Sequence, residues 1–95
     1  MYNCILIVTW DLKKAESNFR KHGVRFSDAE TVLFDPFALT LNYQDADGEQ
    51  CFVTVGSDAI GRIIVAVYTY RGNKIRLISA RKATANERKQ YEKGI

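Results

Sequence analysis

The chain has 95 residues, of which 46% are hydrophobic and 26% charged. That length fits one domain, and the composition supports a packed core and excludes wholesale disorder. No apolar stretch approaches the ~20 residues of a membrane span, and the net charge of +3 is unevenly placed. Residues 1–70 carry six Lys/Arg against nine Asp/Glu, whereas residues 71–95 carry eight against two. A basic C-terminal quarter points to a polyanionic partner, although a run of cations is also an ordinary solvated face.

The first element is "CILIVTW", a short, continuous, β-branched run that reads as a buried strand. Asp11 can cap a helix through Leu12, Ala15 and Phe19 to His22, with Gly23 just past its end. The pattern "SDAE" at Ser27–Glu30 has the spacing of a capping box and predicts a second, short helix that Pro36 terminates. "FALTLNY" alternates with Phe37, Leu39, Leu41 and Tyr43 on one side and reads as a strand. The loop "QDADG" leads to a strand "EQCFVTVG", and "SDAIG" turns the chain into the strand "RIIVAVYTY".

Gly72-Asn73 is a two-residue hairpin signal. It predicts that Tyr70 pairs with Ile75, Thr69 with Arg76 and Tyr68 with Leu77. A last strand, "IRLISARK", would place Arg76, Ile78, Ala80 and Lys82 on one face and Ile75, Leu77, Ser79 and Arg81 on the other. "TANE" at Thr84–Glu87 is a second capping box and opens a closing helix through Tyr91. The expected fold class is therefore α+β: a small single domain, residues 1–95, with an antiparallel sheet, two N-terminal helices and a C-terminal helix.

Cys4 and Cys51 each sit in a strand-like apolar run, which is the setting of reduced core thiols. The N-terminus has no basic region ahead of an apolar stretch, so a secretory signal is not expected and the cytoplasm is the expected compartment. One His and no clustered metal-type ligands leave no zinc or iron site. Asp35, Asp45 and Asp47 fall on loops, without the convergent carboxylates of a two-magnesium nuclease. No cofactor is expected.

A cation in mid-strand on so apolar a sheet needs a carboxylate partner, an exposed edge or an anionic ligand, because an unpaired buried charge is costly. Arg76 poses that question directly. Arg81 and Lys82 stand just ahead of the closing helix, whose free N–H groups favour anions.

Two blocks, "WDLKKAESNFRKHGVRFSDAETVLFDP" and "IRLISARKATANERKQYE", resemble the BrnT family, the toxin half of a bacterial type II toxin–antitoxin pair. The resemblance runs from Trp10 to about Glu92. It implies a RelE-like fold and a ribonuclease that blocks translation by cutting RNA without a metal. It also implies a BrnA-type antitoxin, a ribbon-helix-helix protein through which the complex would bind operator DNA.

The residues are compatible with that chemistry. Cutting RNA at a 2′-hydroxyl needs a proton acceptor, cations on the phosphate and a proton donor for the leaving oxygen. Candidate catalytic residues are Arg76, Arg81, Lys82 and His22. The two arginines suit a bidentate phosphate clamp, with structural ion pairs as the competing role. Lys82 can bind phosphate or simply be a surface lysine. His22 is the side chain whose ordinary titration falls in the working range, and helix capping is its plainer role. Candidate RNA-binding residues are Lys21, Ser79, and Tyr68 and Tyr70, which can stack on bases or pack the sheet. Trp10 is expected to pack the first helix. The alternative to an enzyme is a non-catalytic nucleic-acid-binding or interaction module that acts only with its antitoxin.

Overall fold

The computed structural model describes residues 7–94, so Cys4 and the start of the first expected strand lie outside it. Five strands and three helices follow in the order β1 (Ile7–Thr9), α1 (Leu12–His22), α2 (Phe26–Val32), β2 (Leu39–Gln44), β3 (Gln50–Ser57), β4 (Ile63–Arg71), β5 (Lys74–Lys82) and α3 (Ala85–Lys93). The strands form one sheet in the order β1-β5-β4-β3-β2. Strands β2 to β5 form an antiparallel meander, but β1 runs parallel to β5, so the sheet is mixed rather than wholly antiparallel.

The hairpin forms as the sequence predicts, with Tyr70 opposite Ile75, Thr69 opposite Arg76 and Tyr68 opposite Leu77. Gly72 takes a φ of +64°, while Asn73 stays at negative φ. A glycine at the first central position is the type II′ pattern, whose twist matches that of paired strands.

Register then departs from simple alternation. Tyr68 faces Leu77 and the next residue, Val67, faces Ser79, so Ile78 is an extra residue in β5. This bulge corrects the expected face assignment. Ile75, Leu77 and Ala80 all turn into the core, while Arg76, Ser79 and Arg81 share the other face through their partners Thr69, Val67 and Val65. Bulges redirect side chains in this way.

One face of the sheet packs against α1 and α2. Phe26, Ala29 and Val32 of α2 meet Ile64, Ala66, Tyr68, Leu77 and Ala80 in the core. Trp10 packs against the core and meets Phe26, the first residue of α2 rather than a residue of the first helix, edge-on at 6.1 Å. Helix α2 starts at Phe26, capped by the Arg25 backbone without a side-chain bond, so the box expected at Ser27 does not form. The magnitudes favour this outcome: burying a phenylalanine contributes about 1.5–3 kcal/mol, against about 1 kcal/mol for a side-chain cap. Starting at Phe26 puts Phe26, Ala29 and Val32 on one buried stripe. Asp11 likewise precedes α1 without a side-chain cap bond.

Helix α3 lies over the opposite face, beside Leu39, Leu41, Val53 and Val55. Its capping box forms as expected: the Glu87 N–H donates to Thr84 Oγ1 at 3.2 Å, and the Thr84 N–H to Glu87 Oε1 at 2.8 Å. None of its residues is buried. Polar contacts hold it instead, including a Tyr91 hydroxyl that donates to Asp35 Oδ2 at 2.6 Å. Strand β2 is the sheet's edge, and Leu41, on its expected apolar side, is 75% exposed. The one described cysteine, Cys51, is free and buried.

Candidate nucleic-acid interface

Helix α1 runs along the edge of β5 beyond the point where β1 stops pairing. What joins them is Asn18, 6% exposed and the only buried residue of α1. Its Nδ2 donates to the Ala80 carbonyl at 2.8 Å and to the Val24 carbonyl at 3.0 Å, and its Oδ1 accepts the Ala80 N–H at 3.0 Å. One side-chain amide thus replaces a missing strand partner.

That junction opens into a cleft of about 290 Å³ lined by Lys14, Ser17, Lys21, His22, Ile78 and Ser79, with Asn18 at its floor. Three residues singled out from the sequence, Lys21, His22 and Ser79, therefore come together. Lys14 and Ser17 were missed. Their signal is the spacing Lys14, Ser17–Asn18, Lys21, which marks one face of a helix.

Ser79 also belongs to the sheet face that carries Arg76 and Arg81, because the bulge puts all three there. The cleft and the arginine face are thus contiguous. Arg76 is half-buried opposite Thr69 and has no ion-pair partner among the described residues. Arg81 is engaged: Nη1 and Nη2 donate to Glu87 Oε1 and Oε2, both at 2.8 Å. Such a fork-on-fork pair is short and directional. It ties the end of β5 to the first turn of α3.

Hydrogen bonds from Arg81 and from the Thr84 N–H outweigh burial and hold the Glu87 carboxyl at about 2, below its ordinary 4.5. A depressed carboxyl stabilises the fold above its unfolded value and loses that contribution as pH falls through the folded one. The stability gap between the parent and Glu87→Gln should therefore be full at pH 7 and close between about pH 4.5 and 2. Its size should be about 1–2 kcal/mol, since a pair this exposed is partly screened. Urea melts of both proteins across that range check it, and a gap independent of pH would show that the pair does not hold α3.

The remaining candidates lie apart. Lys82 is exposed at the end of β5, in a separate cleft with Arg62 and Arg88. Tyr68 is a core residue, 5% exposed, stacked on Phe52 and hydrogen-bonded through its hydroxyl to Thr54 Oγ1 at 2.8 Å. A base cannot stack on a ring so enclosed, which corrects the expectation for Tyr68. Tyr70 is 50% exposed but sits on the α1/α2 side of the sheet, across from the arginine face. The loop carboxylates are occupied by backbone: Asp35 accepts from the Ser57 and Phe37 N–H groups, and Asp45 from those of Asp47 and Glu49. Among the described residues no three His, Cys, Asp or Glu side chains converge.

A family model described as the ribonuclease toxin BrnT of type II toxin–antitoxin systems matches residues 10–87. No curated protein matches the chain. Among solved structures the chain is similar to the ribonuclease toxin BrnT of Brucella abortus, with 26% identity and a TM-score of 0.66 over 84% of this chain and 99% of that one.

Proposed function

The chain belongs to the BrnT family of ribonuclease toxins of type II toxin–antitoxin systems, and on that premise we propose that it is a metal-independent endoribonuclease acting at the cleft between α1 and β5. The observation that carries this reading is the convergence of Lys14, Lys21, His22 and Ser79 in one cleft beside the face of Arg76 and Arg81.

The chemistry follows from those groups. His22 takes the proton of a 2′-hydroxyl, whose oxygen then attacks the adjacent phosphorus. The bond to the 5′-oxygen breaks, and that oxygen leaves with a proton from the Lys21 ammonium. A 2′,3′-cyclic phosphate remains. Charge gathering on the phosphate is met by Lys14, by the Ser79 hydroxyl and by the guanidinium of Arg76, which the described residues leave open to a ligand. Arg81, its charge offset by Glu87, contributes by setting the position of α3 beside the arginine face.

The family implies an antitoxin. The finer identity, a BrnA-type ribbon-helix-helix protein that takes the complex to operator DNA, rests on the likeness of the two sequence blocks. So do the RelE-like character of the fold and a site of action on translation in the cytoplasm. A second reading, RNA binding without chemistry, draws support from Arg81, whose fork is already filled by Glu87.

One experiment separates these readings. The purified chain, incubated with RNA in excess EDTA, should cut it and leave 2′,3′-cyclic phosphate ends. Activity that returns only when magnesium or zinc is added would overturn the metal-independent mechanism. Binding without any cleavage would favour the second reading.

A further inference from the structure

We propose that the cleft between the β3–β4 turn and the β5–α3 corner is a second phosphate site. It would hold a backbone phosphate of the RNA a short distance from the bond being cut, and so it rests on the reading of the chain as an RNA-cutting protein. The cleft measures about 300 Å³ and is lined by Arg62, Lys82 and Arg88, with Gly61, Ile63 and Ala83 between them.

Its cations differ in how they are held. Arg62 is fixed, with Nε on Asp58 Oδ2 at 2.8 Å and Nη2 on Asp28 Oδ2 at 3.1 Å. Asp58 is in turn held by the N–H groups of Ile60 and Arg62, at 3.1 and 2.8 Å. The far wall is tied down by the Ala83 N–H, which donates to the Ile63 carbonyl at 3.0 Å. Lys82 and Arg88 are exposed and have no ion-pair partner among the described residues. The two carboxylates behind Arg62 offset two of the three cations and leave the cleft net positive. The result is one preset guanidinium with two adjustable charges in front of it, a cradle for a singly charged phosphodiester.

Its position fits a strand already held at the other cleft. Ser79 and Lys82 are three residues apart on β5, about 10 Å at the rise of a strand. Ser79 pairs with Val67 whereas Lys82, at the strand's end, pairs with Ile64, so their side chains leave opposite faces of the sheet. An RNA strand that rounds the end of the sheet can therefore place the scissile phosphate beside Ser79 and a phosphate a few nucleotides away beside Lys82. Proteins that bind single strands follow the backbone with such positive grooves.

The test uses an RNA oligonucleotide 2′-O-methylated throughout, which can bind but cannot be cut at a 2′-hydroxyl. Its affinity for the full chain is measured by fluorescence anisotropy between about 50 and 200 mM salt. Arg88→Ala should weaken binding by about threefold to fivefold and flatten the plot of log affinity against log salt by about 0.7, the loss of one phosphate contact. Arg88→Lys should restore the slope. Lys89→Ala, the next residue along α3 and outside the cleft, should leave it unchanged. Equal slopes for Arg88→Ala and Lys89→Ala would overturn the site. So would an Arg88→Ala variant that binds RNA normally but binds an antitoxin more weakly, because the cleft would then receive a partner's carboxylate. Cleavage of the unmodified sequence is scored separately, so loss of the activity reading and loss of this site are distinguishable.

Discussion

Replacing Asn18 by alanine should lower stability by about 3 kcal/mol or more, because it strips partners from the buried Ala80 N–H, the Ala80 carbonyl and the Val24 carbonyl at once. For a domain of this size that corresponds to a fall in melting temperature of about 12 °C or more. Cleavage should fall with it even below the melting transition, since Asn18 joins the helix that carries Lys14, Lys21 and His22 to the strand that carries Ser79. Asn18→Asp separates shape from bonding. The carboxylate keeps the size and can still accept the Ala80 N–H, but it cannot donate to either carbonyl. If Asn18→Asp melts with the parent, then packing, not hydrogen bonding, is what Asn18 supplies. Thermal melts beside single-turnover cleavage decide it.

The second large effect concerns the two arginines of β5, which the structure separates by role. Arg76→Ala should cut turnover by about a hundredfold or more, the scale of losing one preorganised electrostatic donor. Its melting temperature should stay near that of the parent, since Arg76 has no ion-pair partner among the described residues. Arg81→Ala should lose activity and also melt lower, because it leaves the Glu87 carboxylate unpaired under the first turn of α3. Arg76→Lys should recover only part of the rate, as an ammonium cannot reproduce a flat bidentate fork. If both alanine variants fold normally and cut at the parental rate, the phosphate is held elsewhere and the arginine face is not part of the site. If Arg76→Ala melts well below the parent, its charge is structural.

Much of the architecture was readable along the chain because it depends on local chemistry. A Gly72-Asn73 turn admits only one register near the turn, so the first three pairs of the β4–β5 hairpin follow from two residues. The capping box at Thr84–Glu87 forms because both of its bonds lie within one helical turn. The same pattern at Ser27 fails where a neighbour, Phe26, has a larger gain from burial. Lys21, His22 and Ser79 were found by type, as groups able to move protons or meet phosphate, and the fold brought them together.

What tertiary structure alone decided is which of those groups face one another. Strict alternation along β5 puts Arg76 and Arg81 on opposite faces. The bulge at Ile78 puts them on the same one, because Leu77 and Ala80 must both reach a core built by helices far away in sequence. Asn18 reads as a neutral residue on a polar helix until the end of β1 leaves the Ala80 backbone without a strand partner. Arg81 is filled by Glu87 only because α3 folds back over the sheet. Turn chemistry and helix caps act over two to four residues and can be read in sequence. Registers, bulges and the pairing of buried polar groups are set by which distant surfaces must be covered, and the local sequence does not contain that choice.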